Sequence, residues 1–173
     1  MRKAALSCAD LALFGELATT GCELENLHQV SETKDGPTAK ALATAATELR
    51  IALIYGYSEV ENNDFYNSVM FIDKHGTRLA NYRKVPIYDA SPTGYKASDT
   101  VTVVDWENLR VGLAITEDVY FPEFFKAMVL NGGPQLVTIS SALSLSSLAR
   151  CAPTLFVPVG ALETRCYIAH TDQ

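Results

Sequence analysis

Positive charge is scarce in this chain. Only 14 Lys and Arg stand against 20 Asp and Glu in 173 residues, a formal net charge of −6 with a pI near 5.0. Binding to nucleic acid needs a basic face to neutralise phosphates, so that class of partner is excluded. Long apolar runs are also missing: none approaches the ~18 residues that a membrane span requires. Histidine is rare, and His28, His75 and His170 lie far apart without ligand spacing. The four cysteines, Cys8, Cys22, Cys151 and Cys166, have no metal-type spacing and are too few for a disulfide scaffold. They read as reduced thiols in a cytoplasmic protein, and no metal or cofactor is implied. Thr20-Gly21-Cys22 is similar to a lipoprotein cleavage site, but Asp10 and Glu16 interrupt the apolar stretch that a secretory signal would need. There is no internal repeat, and low complexity is confined to the Ser/Leu-rich residues 140–147.

What is present is an ordinary globular composition, 48% hydrophobic and 20% charged, in a chain long enough to bury a core. Residues 2–9 read as the tail of a helix, 10–14 as a short buried strand, and 19–35 as polar loop. Gly36-Pro37 opens a helix that runs through Leu49, with proline at the first helical position. Residues 51–58 are β-rich, and residues 65–73 and 77–83 flank the turn Lys74-His75-Gly76. Residues 88–99 read as loop, and a second hairpin joins 101–106 to 109–115. A helix over 122–131 stops at Gly132-Gly133. Residues 135–140 and 166–170 are further strands, while Pro158 and Gly160 weaken a helix over 153–165. Tyr55, Tyr57, Phe65 and Phe71 alternate as strand residues do and belong to the core, and Trp106 packs beside a turn. Helices mixed with hairpins and single strands imply an α/β layered fold with mixed sheets.

The stretch Arg110–Glu123, R-V-G-L-A-I-T-E-D-V-Y-F-P-E, carries the most chemistry. A buried strand ends in a polar elbow and then a Phe-Pro-Glu helix start, an arrangement that presents a nucleophile at the strand end. It resembles the nucleophile motif of the carbon–nitrogen hydrolase (nitrilase and amidase) superfamily. L-A-L-F-G-E-L-A-T-T-G resembles that family's first motif and places Glu16 at the general-base position, with Gly15 where proline is usual. N-Y-R-K-V-P-I-Y-D-A resembles the second and places Lys84 at the position that stabilises the oxyanion, with Pro86 where histidine is more usual. The third motif places Thr116 where the family carries cysteine. A-L-E-T-R-C-Y-I-A-H-T-D-Q resembles the segment that follows, and that ending, with Y-D-A and G-Y-K-A-S-D-T, leans toward the omega-amidase and deaminated-glutathione amidase branch. The resemblance covers nearly the whole chain and implies part of a four-layer α-β-β-α sandwich. It also implies one carbon–nitrogen hydrolase domain over residues 1–173 that lacks the family's first strand and helix and its C-terminal part. About a third of a usual domain is then missing after Gln173, which would leave sheet edge and apolar face to be covered by association.

By that resemblance the ancestral reaction is hydrolysis of a small amide or nitrile through an acyl-enzyme, without metal or cofactor. Three departures argue that this chain is catalytically impaired. A threonine hydroxyl is a far weaker acid than a thiol of pKa ~8.5, and a carboxylate is a poor base for it. The family's second glutamate falls on Ala97 or Pro92, depending on register, and is absent from both. Glu117 adds a negative charge beside the elbow, where Lys84 would pair with it or with Glu16 as a structural ion pair. The alternatives are an amidase that works through Thr116, Cys22 or Cys166, and a non-catalytic subunit of a homo-oligomer or of a full-length relative. Without the motifs, Glu16 would read as a cap carboxylate, Lys84 as a surface lysine and Thr116 as a buried spacer.

Overall fold

The computed structural model describes residues 1–21, 26–85, 94–143 and 151–172. Two four-stranded sheets stack face to face. The first has the order β1 (Leu11–Leu13), β2 (Ala52–Glu61), β3 (Asp64–Ile72), β4 (Arg78–Arg83). Its β1 and β2 are parallel and its other pairs antiparallel. The second has the order β5 (Thr102–Trp106), β6 (Leu109–Ile115), β7 (Leu136–Ser141), β8 (Tyr167–Asp172). Here β5 and β6 form a hairpin, while β6, β7 and β8 run parallel.

Period-two alternation decides which face each strand residue serves. On β2 and β3, Leu53, Tyr55, Tyr57, Met70 and Ile72 form one cluster with Ala46 and Leu42 of α3 (Pro37–Leu49). Ala52, Ile54, Val69 and Phe71 point the other way, into the larger core that includes Val111, Leu113 and Ile115 of β6. Phe71 and Trp106 meet edge to face across the sheets, with ring centroids 5.6 Å apart. On the far side of β6, Gly112 abuts α4 (Pro122–Leu130): a Cβ there would come within 2.9 Å of Met128 Sδ. The layers are therefore α3, sheet, sheet, α4 with α5 (Val157–Thr164), an α-β-β-α sandwich with mixed sheets.

Two short helices, α1 (Arg2–Leu6) and α2 (Leu27–Val30), flank the first sheet's segments. The second falls in the stretch that the sequence marks as loop. The turn between β2 and β3 is made by Asn62 and Asn63, both with positive φ, a hairpin signal that the polar run conceals. The helix that Pro158 and Gly160 were expected to weaken is present, entered through a π turn at Ala152–Phe156. Pro158, which has no N–H to give the helix, stands where the π turn passes into the α-helix. Gly160 is seated against Phe125 of α4, and a Cβ there would lie 2.9 Å from Phe125 Cε2.

That contact yields a stability test. Gly160→Val should lower the unfolding free energy by about 1–3 kcal/mol through overpacking. Val159→Ala, at an exposed neighbour, should stay within about 0.5 kcal/mol. Urea denaturation of both variants checks the difference.

Candidate active site

Strand ends converge at one rim of the sandwich. The chain leaves β1, follows β2 for two more residues (Phe14 N to Ile54 O 2.9 Å, Gly56 N to Gly15 O 3.2 Å), and then turns. The turn is tight enough to need a glycine opposite it: a Cβ on Gly56 would lie 2.5 Å from Leu17 N and 2.8 Å from Glu16 Cα. Leu17 itself adopts φ 51, a left-handed backbone that costs a leucine about 1–2 kcal/mol. The strained turn brings Glu16 N within 3.2 Å of Ser141 O, at the end of β7 in the other sheet.

The Glu16 side chain is buried and accepts from both sheets. Its Oε1 accepts from Asn67 Nδ2 at 2.6 Å and from Lys84 Nζ at 3.0 Å. Its Oε2 accepts from the Thr116 hydroxyl and from Ala142 N, the latter at 3.3 Å. Thr116, also buried, accepts from Ala142 N at 3.2 Å. Lys84 follows β4 directly and pairs with Glu117 as well as Glu16. Burial alone would lower the Lys84 pKa, but the two carboxylates outweigh it and hold the ammonium above its ordinary value. The structure thus brings Glu16, Lys84 and Thr116 into one hydrogen-bonded cluster, and it makes the Lys84 ion pair with both glutamates rather than with one.

Behind this cluster lies a second link. The Asp118 side chain is fully buried in the 3₁₀ turn Thr116–Tyr120. Its Oδ2 accepts from Tyr82 Oη and from Ile115 N, each at 2.7 Å, and Tyr82 Oη accepts from Val85 N at 3.2 Å. This chain joins the elbow that carries Thr116 to the strand end that carries Lys84. Burial pushes the Asp118 carboxyl up to about 7. Arg83, next to Lys84, is engaged elsewhere: its Nη2 lies 2.5 Å from Glu59 Oε1 and 2.9 Å from Glu61 Oε2. Burial would raise the Glu59 pKa, but hydrogen bonds from Arg83, Ser68 and Asn81 bring it below its ordinary value.

Other candidates fall outside the cluster. Cys166 is buried, with Sγ 2.8 Å from Pro134 O. Ala97 is exposed, and Cys22, Pro86 and Pro92 lie outside the described residues. Among the described residues no group of three or more His, Cys, Asp or Glu could hold a metal ion, and no helix is long and apolar enough to cross a membrane. Sequence reasoning missed Asn67, Gly56, Tyr82 and Asp118, and also Asp172, which accepts from Leu143 N at 2.7 Å and so fixes the exit of β7. The available signals were a polar Asn67 within an apolar strand and an acidic residue two places after the elbow.

Comparison with known proteins gives the family and the fold. The family model described as Carbon-nitrogen hydrolase matches residues 1–173, and the chain belongs to that family. It is 31% identical over 174 residues to a hydrolase in the pqqF 5′ region of Pseudomonas protegens, covering 95% of this chain and 58% of the relative. It is 31% identical over 129 residues to an (R)-stereoselective amidase of Pseudomonas sp., covering 74% of this chain and 47% of that one. The chain therefore spans about half the length of such relatives. Among solved structures, the amidase from Nesterenkonia sp. AN1 superposes with a TM-score of 0.88 at 25% identity, covering 99% of this chain and 68% of that one. That structure shows the Michael addition of acrylamide at an active-site cysteine.

Two measurements follow from the site's geometry. Gly56→Ala should displace the Glu16 turn and destabilise the protein by about 1–3 kcal/mol, with loss of amide-exchange protection at Glu16 and Thr19. Asp118 makes stability depend on pH. Its folded pKa of about 7 lies above the ordinary 3.8, so its contribution is fully present below pH ~4 and is lost as pH rises through ~7. The loss has an upper bound of roughly 4 kcal/mol. Unfolding free energies measured from pH 5 to pH 8 should fall in the wild type and run flatter in Asp118→Asn.

Proposed function

We propose that this member of the carbon–nitrogen hydrolase family holds the framework of an amidase site without a competent nucleophile. Glu16 stands at the general-base position, Lys84 at the oxyanion position and Thr116 at the nucleophile position. The observation that carries this reading is the Thr116–Glu16–Lys84 cluster at one rim of an amidase-like sandwich. The substrate class is a small amide, attacked at its carbonyl carbon and released as acid and ammonia. The reaction needs a nucleophile that Glu16 can deprotonate. A thiol meets that requirement at pKa ~8.5 and an alcohol does not. Lys84, held by two carboxylates, is also a poor host for a developing oxyanion. Loss of such a nucleophile lowers kcat by about 10⁶, so the protein is a pseudoenzyme or close to one.

A second reading is a non-catalytic subunit. It is supported by Leu130, 77% exposed on α4, and Leu162, 79% exposed on α5. The two helices also frame an apolar groove lined by Tyr120, Phe125, Leu155 and Val159. An outer helical layer of this kind suits docking on a second copy or on a relative with the same face.

Ammonia release from a panel of small amides, by wild type, Thr116→Ala and Thr116→Cys, separates these readings. The expected result is a silent wild type and turnover in Thr116→Cys. Wild-type turnover that disappears in Thr116→Ala would overturn the proposal and make Thr116 a working nucleophile. Silence in all three folded proteins, together with co-purification of a relative that survives Glu16→Gln, would favour the subunit reading.

A further inference from the structure

Among the described residues the outermost charge at the site is a carboxylate. Glu16 and Lys84 form the inner pair, with side chains 8% and 20% exposed. Glu117 completes the cluster from outside, with a side chain 55% exposed and its Oε2 on Lys84 Nζ. Among the described residues Lys84 stands between two carboxylates, and the member of the trio nearest solvent is the carboxylate of Glu117. The adjacent Arg83 does not offset it, since its guanidinium pairs with Glu59 and Glu61 and stacks on Tyr66 at 3.9 Å.

A second observation points the same way. Asn67 holds Glu16 through Nδ2, and its Oδ1 is buried without a hydrogen-bond partner among the described residues. Asp118 Oδ1 and Ser140 Oγ also lack partners among the described residues, but Asn67 Oδ1 belongs to a residue that holds Glu16, and such an acceptor is satisfied by an N–H or O–H donor.

We propose that Glu117 sets the charge preference of this site: it occupies Lys84 as an internal carboxylate and selects amides bearing a protonated amine over amides bearing a carboxylate. The inference rests on the reading of the Thr116–Glu16–Lys84 cluster as the substrate site, and it names the substrate class of that site. An incoming carboxylate must displace Glu117 from Lys84 and is repelled by it on approach. An ammonium group meets a solvent-facing carboxylate already in place. Amides derived from dicarboxylic acids are therefore poor ligands, although the sequence ending leans toward a branch that includes the omega-amidases.

The test is binding, so it does not require turnover. β-Alaninamide, propionamide and succinamate are comparable short amides that are cationic, neutral and anionic. Each is titrated into the isotope-labelled wild-type protein while the Thr116 and Ala142 amide resonances are followed. The expected result is tighter binding of β-alaninamide than of succinamate by about tenfold at low salt, with a smaller gap at high salt. Glu117→Gln should close that gap and strengthen succinamate binding, and Glu117→Lys should invert it. Binding of all three amides with equal affinity, or a gap unchanged in Glu117→Gln, would overturn the role of Glu117 while leaving the site intact. If no amide shifts either resonance, the substrate-site reading itself fails, and the inference fails with it.

Discussion

The carboxylate of Glu16 is the junction on which the rim of the sandwich depends. A carboxylate offers two oxygens and about four lone-pair directions, and here each oxygen takes two donors. Asn67 and Lys84 come from β3 and the exit of β4 in one sheet. Thr116 and Ala142 come from the exits of β6 and β7 in the other. An ion this buried is tolerated only when its hydrogen bonds are complete. Removing the carboxylate would leave several buried donors and a lysine short of partners, a loss of about 3–5 kcal/mol by analogy with broken buried pairs. The neighbouring features serve this junction. Gly56 makes room for the turn, Leu17 accepts a left-handed backbone beside it, and Tyr82 with Asp118 holds the two strand ends at the required separation.

Much of this was legible in the sequence because strand ends and elbows have local signatures. The hairpins around Lys74-His75-Gly76 and Glu107-Asn108, the helix opened by Pro37 and the elbow after Ile115 all stand where the residue pattern puts them. Glu16, Lys84 and Thr116, singled out by motif, stand in one cluster, although 68 residues separate the first two and 100 the first and last. What the sequence hid was long-range chemistry. Nothing local shows that Asn67, in mid-strand, bonds to a carboxylate 51 residues away, or that Tyr82 donates to an aspartate in the other sheet. Gly160 misled for the same reason: its value is a close approach to Phe125, a contact invisible to helix propensity.

The arrangement that stabilises Glu16 also limits what it can do. A general base must take up a proton, and donors from both sheets already occupy the Glu16 oxygens. Proton transfer from a thiol to a carboxylate is far less uphill than transfer from an alcohol. Lys84 is constrained in the same manner. Two carboxylates keep it charged, yet they already engage two of its three donors, which an oxyanion would have to share. On the proposed reading geometry and chemistry have parted: the side chains meet at one rim, while their electrostatics favour a closed ion-pair cluster.

Thr116 shows why such a state can be stable. A thiol is a weak hydrogen-bond donor and acceptor, whereas a hydroxyl is good at both. In this structure Thr116 uses both capacities, donating to Glu16 and accepting from Ala142 N. Its β-branched side chain is also stiff about χ1, which suits a buried residue at a strand end. On the proposed reading, the residue that weakens the nucleophile also strengthens the tie between the sheets. Catalytic sites generally sacrifice stability for reactivity, and the function proposed for this chain is the reverse exchange. Glu117 extends the same logic outward, because a carboxylate that satisfies Lys84 in the resting protein removes the need for a substrate to do so. On this view the elbow Thr116-Glu117-Asp118 acts as a unit: one residue ties the sheets, one satisfies the lysine, and one anchors the turn to Tyr82.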